Sequence, residues 1–180
     1  MAHIHTNPGE HDHTASAFIV RTDMDEPRLL LHKHKKLGVL LQPGGHIELN
    51  ENPWQAIQHE IIEETGYELS QLKILQPSIR MKALSGAILH PIPVSPNTHN
   101  FDSKGNHKHT DEGYAFIADG APVGEPDEGE SVDMRWLSLS ELNDIDKNEI
   151  FDNVREVGAF ILSIILNEWE AVELSTFKNQ

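Results

Sequence analysis

Cysteine is absent from the sequence, and basic residues and long apolar runs are scarce. Without cysteine, the 180-residue chain has no disulfide scaffold, no cysteine nucleophile and no zinc–thiolate site, and it fits a reducing compartment. The longest apolar run, AFILSIIL at 159–166, is too short to span a bilayer. The first residues lack the basic and apolar regions of a signal peptide. We therefore expect a cytoplasmic protein.

The charge balance is strongly acidic. Lys and Arg total 14 against 29 Asp and Glu, which gives a formal net charge of −15. Such a surface repels nucleic-acid polymers and anionic membranes. It tolerates a phosphorylated small molecule when divalent cations lie between the two. We expect a small-molecule partner, with no nucleic acid and no membrane.

The length and the spread of apolar residues predict a single domain over residues 15–175, preceded by a mobile arm over 1–14. Alternating or continuous apolar segments predict strands at 15–21, 28–32, 38–42, 113–119 and 132–137, with further candidates within 69–79 and 86–94. Polar loops are predicted at 95–112 and 121–131. A short helix after Ser138 and an amphipathic helix within 150–172 complete the chain.

One helix has clear end signals and is predicted over residues 53–65. Asn52 is a good N-cap, Pro53 suits the first helical position, and Gly66 suits the left-handed position after the last turn. At about 100° per residue, one stripe of this helix is apolar and should face the core. The stripe consists of Trp54, Ile57 and Ile61.

Three glutamates, Glu60, Glu63 and Glu64, fall on a neighbouring stripe of the same helix. They repel one another at the i+3 and i+4 spacings, and they lie in the half of the helix where the dipole disfavours anions. A solvated acidic face is one interpretation. Two glycines just before the helix allow the backbone to approach closely, so a hard-oxygen site for Mg²⁺ or Mn²⁺ is the other.

The same stretch resembles the signature of the Nudix hydrolases, G-x5-E-x7-R-E-U-x-E-E-x-G-U, in which U is a bulky apolar residue. Gly45 is followed by five residues and then Glu51, and seven more lead to His59. From His59 to Tyr67 the sequence HEIIEETGY completes the pattern. Every fixed position matches except the arginine, which is His59 here. The likeness is good over roughly 13–140 and weak outside that range.

The resemblance implies an α/β (α+β) fold, with a mixed β-sheet between helices, and metal-dependent hydrolysis of a pyrophosphate linkage in a nucleoside diphosphate derivative. It maps the metal ligands onto Glu60, Glu63, Glu64 and the Gly45 carbonyl, with Mg²⁺ or Mn²⁺ as the cofactor. Clustered oxygens of this kind suit such ions. The three glutamates are therefore also the first candidates for catalytic residues.

Supporting positions follow from the same resemblance. Glu51 would hold the loop that enters the helix, and His59 replaces an arginine that orients nearby carboxylates. Family members often add a carboxylate from a later loop, and Glu130 is our candidate, with Glu128 and Asp127 behind it. The alternative for Glu130 is an ordinary acidic surface loop.

His107 and His109 stand beside Asp111 in an H-x-H-x-D pattern. On a strand, the two histidines would face one side and could bind a metal or a phosphate. We list the three as candidate substrate-binding residues, the alternative being the polar rim of a loop.

Two other functions are compatible with the same residues: a module that senses a nucleotide without cleaving it, and an acidic metal-binding protein with no phosphate substrate. The intact carboxylates favour the hydrolase. The substrate is not readable from the sequence, and a homodimer is possible because many relatives dimerise.

Overall fold

A nine-stranded sheet forms the centre of the part of the chain that the computed structural model describes, residues 7, 9–101 and 107–177. The strands are β1 His11–Arg21, β2 Arg28–Lys33, β3 Leu40–Leu41, β4 Gly44–His46, β5 Leu72–Gln76, β6 Ser95–Asn100, β7 Lys108–Ala118, β8 Met134–Leu137 and β9 Glu170–Glu173. The α-helices are α1 Pro53–Thr65, α2 Leu139–Asp144, α3 Asp152–Phe160 and α4 Leu166–Glu168.

The sheet is mixed. Its main path runs β3-β2-β1-β7-β5-β9, while β4 pairs with β1, β6 with β7, and β8 with β2. β1 and β7 are parallel over their full lengths, from the pair His11–Lys108 to the pair Arg21–Ala118. The other strand pairs are antiparallel.

The alternation of side chains along β1 divides the core into two layers. Ala15, Ala17 and Ile19 face the layer that contains the apolar stripe of α1. Phe18 and Val20 face the opposite layer, which contains buried residues of α2, α3 and the turn that follows α3. The predicted sheet between helices is therefore confirmed.

α1 has the predicted bounds and caps. The Asn52 side chain accepts a hydrogen bond from the Gln55 N–H, Pro53 is the first helical residue, and Gly66 is left-handed with φ of 72°. The predicted stripe, Trp54, Ile57 and Ile61, is fully buried. Trp54 stacks on Phe116 of β7 with 6.2 Å between ring centroids. This packing fixes which face of α1 turns away from the core.

The prediction of a long polar loop over 95–112 is wrong for the described residues. Ser95–Asn100 forms β6, and β7 begins at Lys108. β6 pairs with no other strand than β7 in the described residues, and its side chains alternate between partly buried and exposed. Because neither of its faces is fully buried, the strand lacks the apolar alternation that identifies strands in a sequence.

The strand predicted within 86–94 is also wrong, because this stretch is irregular. Pro91 and Pro93 have no N–H to donate to a ladder. The backbone of Ile92 forms hydrogen bonds with the buried side chain of Gln76 instead of with a strand. Gln76 Oε1 accepts from the Ile92 N–H at 2.8 Å, and Gln76 Nε2 donates to the Ile92 carbonyl at 2.9 Å.

Two further expectations need correction. The C-terminal helix is not continuous over 150–172: α3 passes through a π-helical turn, Ile161–Ile165, into α4, and the chain then forms β9 against β5. The predicted mobile arm over 1–14 is wrong for residues 11–14, which belong to β1, with Asp12 buried. Residues 1–6 and 8 lie outside the described residues. None of the described helices has the length and hydropathy needed to cross a membrane.

Candidate active site

The last turns of α1 present Glu60, Glu63 and Glu64 on the side that turns away from the core. Glu64 is only 3% exposed, whereas Glu60 and Glu63 are half-buried. The three carboxylates thus extend from the protein interior to its surface. This gradient contradicts a simple solvated acidic face, because such a face would leave all three side chains exposed.

The two glycines of β4 lie directly against these carboxylates. The Gly44 N–H donates a hydrogen bond of 2.8 Å to Glu64 Oε2. A Cβ atom on Gly45 would lie 1.9 Å from Glu60 Oε1, so only glycine leaves this carboxylate where it is. Gly44 has φ of 152°, and a Cβ there would lie 2.4 Å from the Ala15 carbonyl oxygen. The close approach that the glycines predicted is therefore present.

Burial and mutual repulsion make the carboxylates costly to ionise. Burial raises the pKa of Glu60 to about 7, with a further contribution from Glu63. Burial also raises the pKa of Glu64 to about 8, against the opposing hydrogen bond from Gly44. Two carboxylates in this state are stabilised in their ionised form by a nearby cation.

Glu130 belongs to a loop that contacts the end of α1. The Asp127 N–H donates to the Glu63 carbonyl at 2.8 Å, and the Glu130 N–H donates to the Asp127 carbonyl at 2.9 Å. The negative charge of Glu130 contributes to the raised pKa of both Glu60 and Glu64. The loop therefore places the charge of Glu130 within electrostatic range of Glu60 and Glu64, and its role in catalysis stays a prediction.

Glu51 and His59 occupy different places around the cluster. Glu51 Oε1 accepts from the Glu48 N–H at 2.9 Å, which closes the loop before α1, and the charge of Glu51 adds to the raised pKa of Glu60. His59 Nε2 lies 2.8 Å from Glu63 Oε1, and the His59 side chain is largely exposed whereas that of Glu63 is half-buried. The histidine thus contacts Glu63.

His32 of β2 was not singled out from the sequence, yet its Nε2 lies 3.9 Å from Glu64 Oε2. Both side chains are buried. Burial lowers the pKa of His32 to about 4, so the ring is neutral at pH 7 and does not offset the Glu64 charge. The one signal in the sequence was a histidine at the end of the apolar run RLLLH.

A cleft of about 770 Å³ lies beside the two glycines, on the sheet face opposite α1. Its polar floor is a hydrogen-bonded chain: Gln42 Nε2 donates to Ser16 Oγ at 2.9 Å, and the Thr14 and Ser16 hydroxyls donate to Asp111 Oδ1 at 2.9 and 2.8 Å. Burial raises the pKa of Asp111 despite these bonds. Aromatic side chains and a lysine also line the cleft, among them Phe101, Phe151, His34 and Lys36.

The structure separates the three candidate substrate-binding residues. His109 and Asp111 both line the cleft, but Asp111 is engaged by hydroxyl groups. His107 Nε2 instead lies 2.6 Å from Oδ2 of the buried Asp12, a residue that we had assigned to a mobile arm. Burial and neighbouring histidines lower the pKa of His109 to about 4, and its ring stacks on Phe101 at 4.7 Å.

Comparison with known proteins agrees with this geometry. The NUDIX domain family model matches residues 12–156. The structure of a NUDIX-family hydrolase from Clostridium perfringens is 31% identical, with a TM-score of 0.70, and the match covers 86% of this chain and 98% of that one. A search of curated proteins gave no match.

Two more distant structures share the fold. The Caenorhabditis elegans Ap4A hydrolase has a TM-score of 0.62 at 16% identity, covering 87% of this chain and 98% of that one. A bifunctional NMN adenylyltransferase/ADP ribose pyrophosphatase from Francisella tularensis, solved with AMP and a manganese ion, has a TM-score of 0.54 at 18% identity. That match covers 86% of this chain and 42% of the other.

Proposed function

This chain belongs to the Nudix hydrolase family, and on that premise we propose that it hydrolyses a pyrophosphate linkage in a nucleotide-like small molecule with the help of Mg²⁺ or Mn²⁺. One observation carries the proposal: the backbone of Gly44 and Gly45 is in contact with Glu64 and Glu60, at the edge of a cleft large enough for a nucleotide. Ligand pockets of several hundred Å³ are typical of such sites.

The residues present fit a divalent cation. Glu60, Glu63 and Glu64, with the Gly45 carbonyl, would form a set of oxygen ligands, which is the type that Mg²⁺ and Mn²⁺ prefer. Burial raises the pKa of Glu60 and Glu64, so ionising these carboxylates without a cation beside them is unfavourable. Bound there, the ion would neutralise charge on the pyrophosphate and favour deprotonation of the attacking water.

The remaining site residues have distinct roles in this proposal. Glu130, whose charge reaches both buried glutamates, would accept the proton of the attacking water at a carboxylate oxygen. His59 would hold the Glu63 carboxylate in place through its contact of 2.8 Å. Glu51 would fix the loop that joins β4 to α1. Only Glu130 among these three would touch the reacting atoms.

The cleft would bind the nucleotide-like part of the substrate. Phe101 and Phe151 line it and offer apolar surfaces on which a base can stack, and Lys36 supplies a positive charge for a phosphate. His109 and Asp111 border the same space and keep their proposed role in substrate binding, whereas His107 contacts the buried Asp12 instead. The Ap4A and ADP-ribose named for the distant relatives are both nucleotides, which supports this class of substrate.

A substrate panel tests the proposal. Nucleoside triphosphates, ADP-ribose, nucleotide sugars and dinucleoside polyphosphates are incubated with the protein in Mg²⁺ or Mn²⁺, and released phosphate or pyrophosphate is measured. We expect turnover of at least one class, and a fall of at least about 100-fold in the Glu64→Gln variant. The matched control is Glu156→Gln, which removes the same charge at an exposed position of α3.

Two outcomes would contradict the proposal. Tight nucleotide binding without turnover would make the chain a nucleotide-sensing module, and equal rates in Glu64→Gln and Glu156→Gln would remove Glu64 from the site. The single domain over 15–175, the homodimer and the cytoplasmic location stay predictions.

A further inference from the structure

A second cluster of metal-binding side chains lies beside the glutamate site. Four residues from separate parts of the sheet converge: Asp12 of β1, His46 of β4, His107 just before β7, and His109 of β7. One ligand atom from each lies within 4.8 Å of the others. From this arrangement we propose that Asp12, His46, His107 and His109 bind a divalent transition metal of the Zn²⁺ class, at a site separate from the glutamates of α1.

Strand register explains the convergence. Asp12 and His109 are direct partners in the parallel pair of β1 and β7, so their side chains stand next to each other on one face. His107 precedes His109 by two residues and shares that face. His46 is the last residue of β4 and pairs with Thr14, two residues from Asp12. The fold thus fixes all four positions through backbone hydrogen bonding.

The distances require only small movements to close a coordination shell. Asp12 Oδ2 lies 2.6 Å from His107 Nε2 and 3.5 Å from His46 Nε2. Ligands of tetrahedral zinc at about 2.0–2.1 Å from the metal are about 3.3 Å apart. The widest separation in the cluster, at most 4.8 Å, therefore exceeds that spacing by about 1.5 Å. Small side-chain rotations cover this difference.

Unpaired buried atoms give an independent indication of a ligand. Asp12 is 1% exposed, and its Oδ1 has no hydrogen-bond partner in the described part of the chain. His109 is 8% exposed, and its Nε2 likewise has no hydrogen-bond partner among the described residues. Buried polar atoms in native proteins are nearly always paired, and a bound ion is one recognised explanation for an exception. The hydrogen bond between His107 and Asp12 engages neither of these two atoms.

The donor atoms distinguish this site from the glutamate cluster. Three imidazoles and one carboxylate suit Zn²⁺, Ni²⁺ or Cu²⁺, whereas carboxylate and carbonyl oxygens suit Mg²⁺ and Mn²⁺. The two sets are nevertheless adjacent, because His46 directly follows Gly45. A metal bound to the histidines would tie β1, β4 and β7 together and would hold the glycine backbone against Glu60 and Glu64.

Zinc binding can be measured with the glutamate site masked by millimolar Mg²⁺. The protein is stripped with a chelator, the chelator is removed, and Zn²⁺ is titrated by calorimetry, with Co²⁺ absorption spectra reporting the coordination. We expect a single Zn²⁺ per chain and a raised melting temperature. His107→Ala, Asp12→Asn and His109→Asn should each weaken binding by more than about 100-fold, the upper range for losing a residue outside the coordination shell.

Three controls keep the test specific. His13→Ala removes an exposed histidine from the same strand and should bind Zn²⁺ as the wild type does. The Glu63→Gln/Glu64→Gln variant should still bind one Zn²⁺ per chain, with a much smaller loss of affinity than the cluster variants show, because neither glutamate belongs to the cluster. His3→Ala/His5→Ala removes two histidines near the N-terminus and should also bind normally.

The proposal is overturned if His107→Ala keeps the wild-type affinity for Zn²⁺. It is also overturned if Zn²⁺ binding is lost only in the Glu63→Gln/Glu64→Gln variant or only in the His3→Ala/His5→Ala variant. His107 is partly exposed, with 25% of its side-chain surface accessible, so its variant should fold even if a change at the more buried His109 does not. Circular dichroism of each variant confirms folding before titration.

Discussion

Gly45 and Glu60 lie so close together that a methyl group on Gly45 would stand 1.9 Å from Glu60 Oε1. Gly45 does not have the positive φ that disfavours other residues, so alanine there meets the carboxylate without straining the backbone. We predict that Gly45→Ala displaces Glu60 and lowers kcat/KM by about 100-fold, the effect of misplacing a catalytic group by about 1 Å. Steady-state kinetics with the substrate found in the panel measures this.

The same substitution should leave the fold intact, because the end of a Glu side chain can move aside. Gly120→Ala is the matched control, since a Cβ there meets nothing within 4 Å. Gly44→Ala offers the opposite case: its Cβ would lie 2.4 Å from a backbone oxygen, at φ of 152°, so it should lower the melting temperature markedly. Wild-type activity in Gly45→Ala would show that the position of Glu60 is unimportant.

The buried glutamates predict how pH affects the metal-free protein. The folded-state pKa values of about 7 for Glu60 and about 8 for Glu64 lie above the ordinary value of 4.5. The folded state therefore binds more protons than the unfolded state between these values, and these groups lower the free energy of unfolding as pH rises. We predict that metal-free Glu64→Gln is the more stable protein at pH 8, by about 2–4 °C in Tm, and that this difference disappears toward pH 5.

Divalent ions should reverse that order. With Mg²⁺ or Mn²⁺ present, the wild type gains more stability than Glu64→Gln, because the ion binds the ionised cluster. Differential scanning calorimetry of both proteins, with chelator and with metal, measures the four Tm values at each pH. Glu156→Gln again serves as the control for loss of one charge. If the metal-free wild type were more stable than Glu64→Gln at pH 8, the prediction that the buried glutamates destabilise the ionised site would be wrong.

The sequence predicted some parts of this molecule well for clear physical reasons. The caps and the apolar stripe of α1 are local signals, and all were confirmed. The approach of the Gly44–Gly45 backbone to the glutamates followed from the lack of side chains there. Such features depend on neighbours in the chain, which a sequence displays directly.

The missed features depend on strand pairing between distant segments. Asp12 joined the histidines only because β1 and β7 pair in parallel, and His32 reached Glu64 only because β2 and α1 come together in the fold. The signal that could have found this face is a polar alternation over residues 12–16, formed by Asp12, Thr14 and Ser16. The edge strand β6 gave no such signal, since neither of its faces is fully buried.

Glu130 can be tested against its neighbour Glu128. Both lie in the acidic loop, but the charge of Glu130 reaches Glu60 and Glu64. We predict that Glu130→Gln lowers kcat by at least about 100-fold with little change in KM, since a general base contributes about 10²–10⁴. Glu128→Gln should behave as the wild type does. Equal effects of the two substitutions on kcat would mean that the loop acts only through its overall charge.

The last prediction concerns His59, which stands where the family signature has arginine. In its pair with Glu63, the His59 side chain is 61% exposed and the Glu63 side chain is 41% exposed. Exposed ion pairs of this kind contribute only about 0.2–1 kcal/mol to stability. His59→Ala should therefore lower kcat/KM by no more than about fivefold and leave Tm nearly unchanged. A fall as large as that of Glu64→Gln would show that His59 does more than orient Glu63.

His59→Arg tests whether a forked contact orients Glu63 better than a single one. An arginine can hold a carboxylate through two parallel hydrogen bonds, whereas one imidazole nitrogen makes a single contact. In this protein that single contact joins His59 Nε2 to Glu63 Oε1 at 2.8 Å. We predict that His59→Arg raises kcat/KM by about two- to fivefold over the wild type, the effect of up to about 1 kcal/mol from an exposed pair. Steady-state kinetics of both proteins, with His13→Arg as the matched control, decides the question, because a variant no faster than the wild type would show that the fork adds nothing to the position of Glu63.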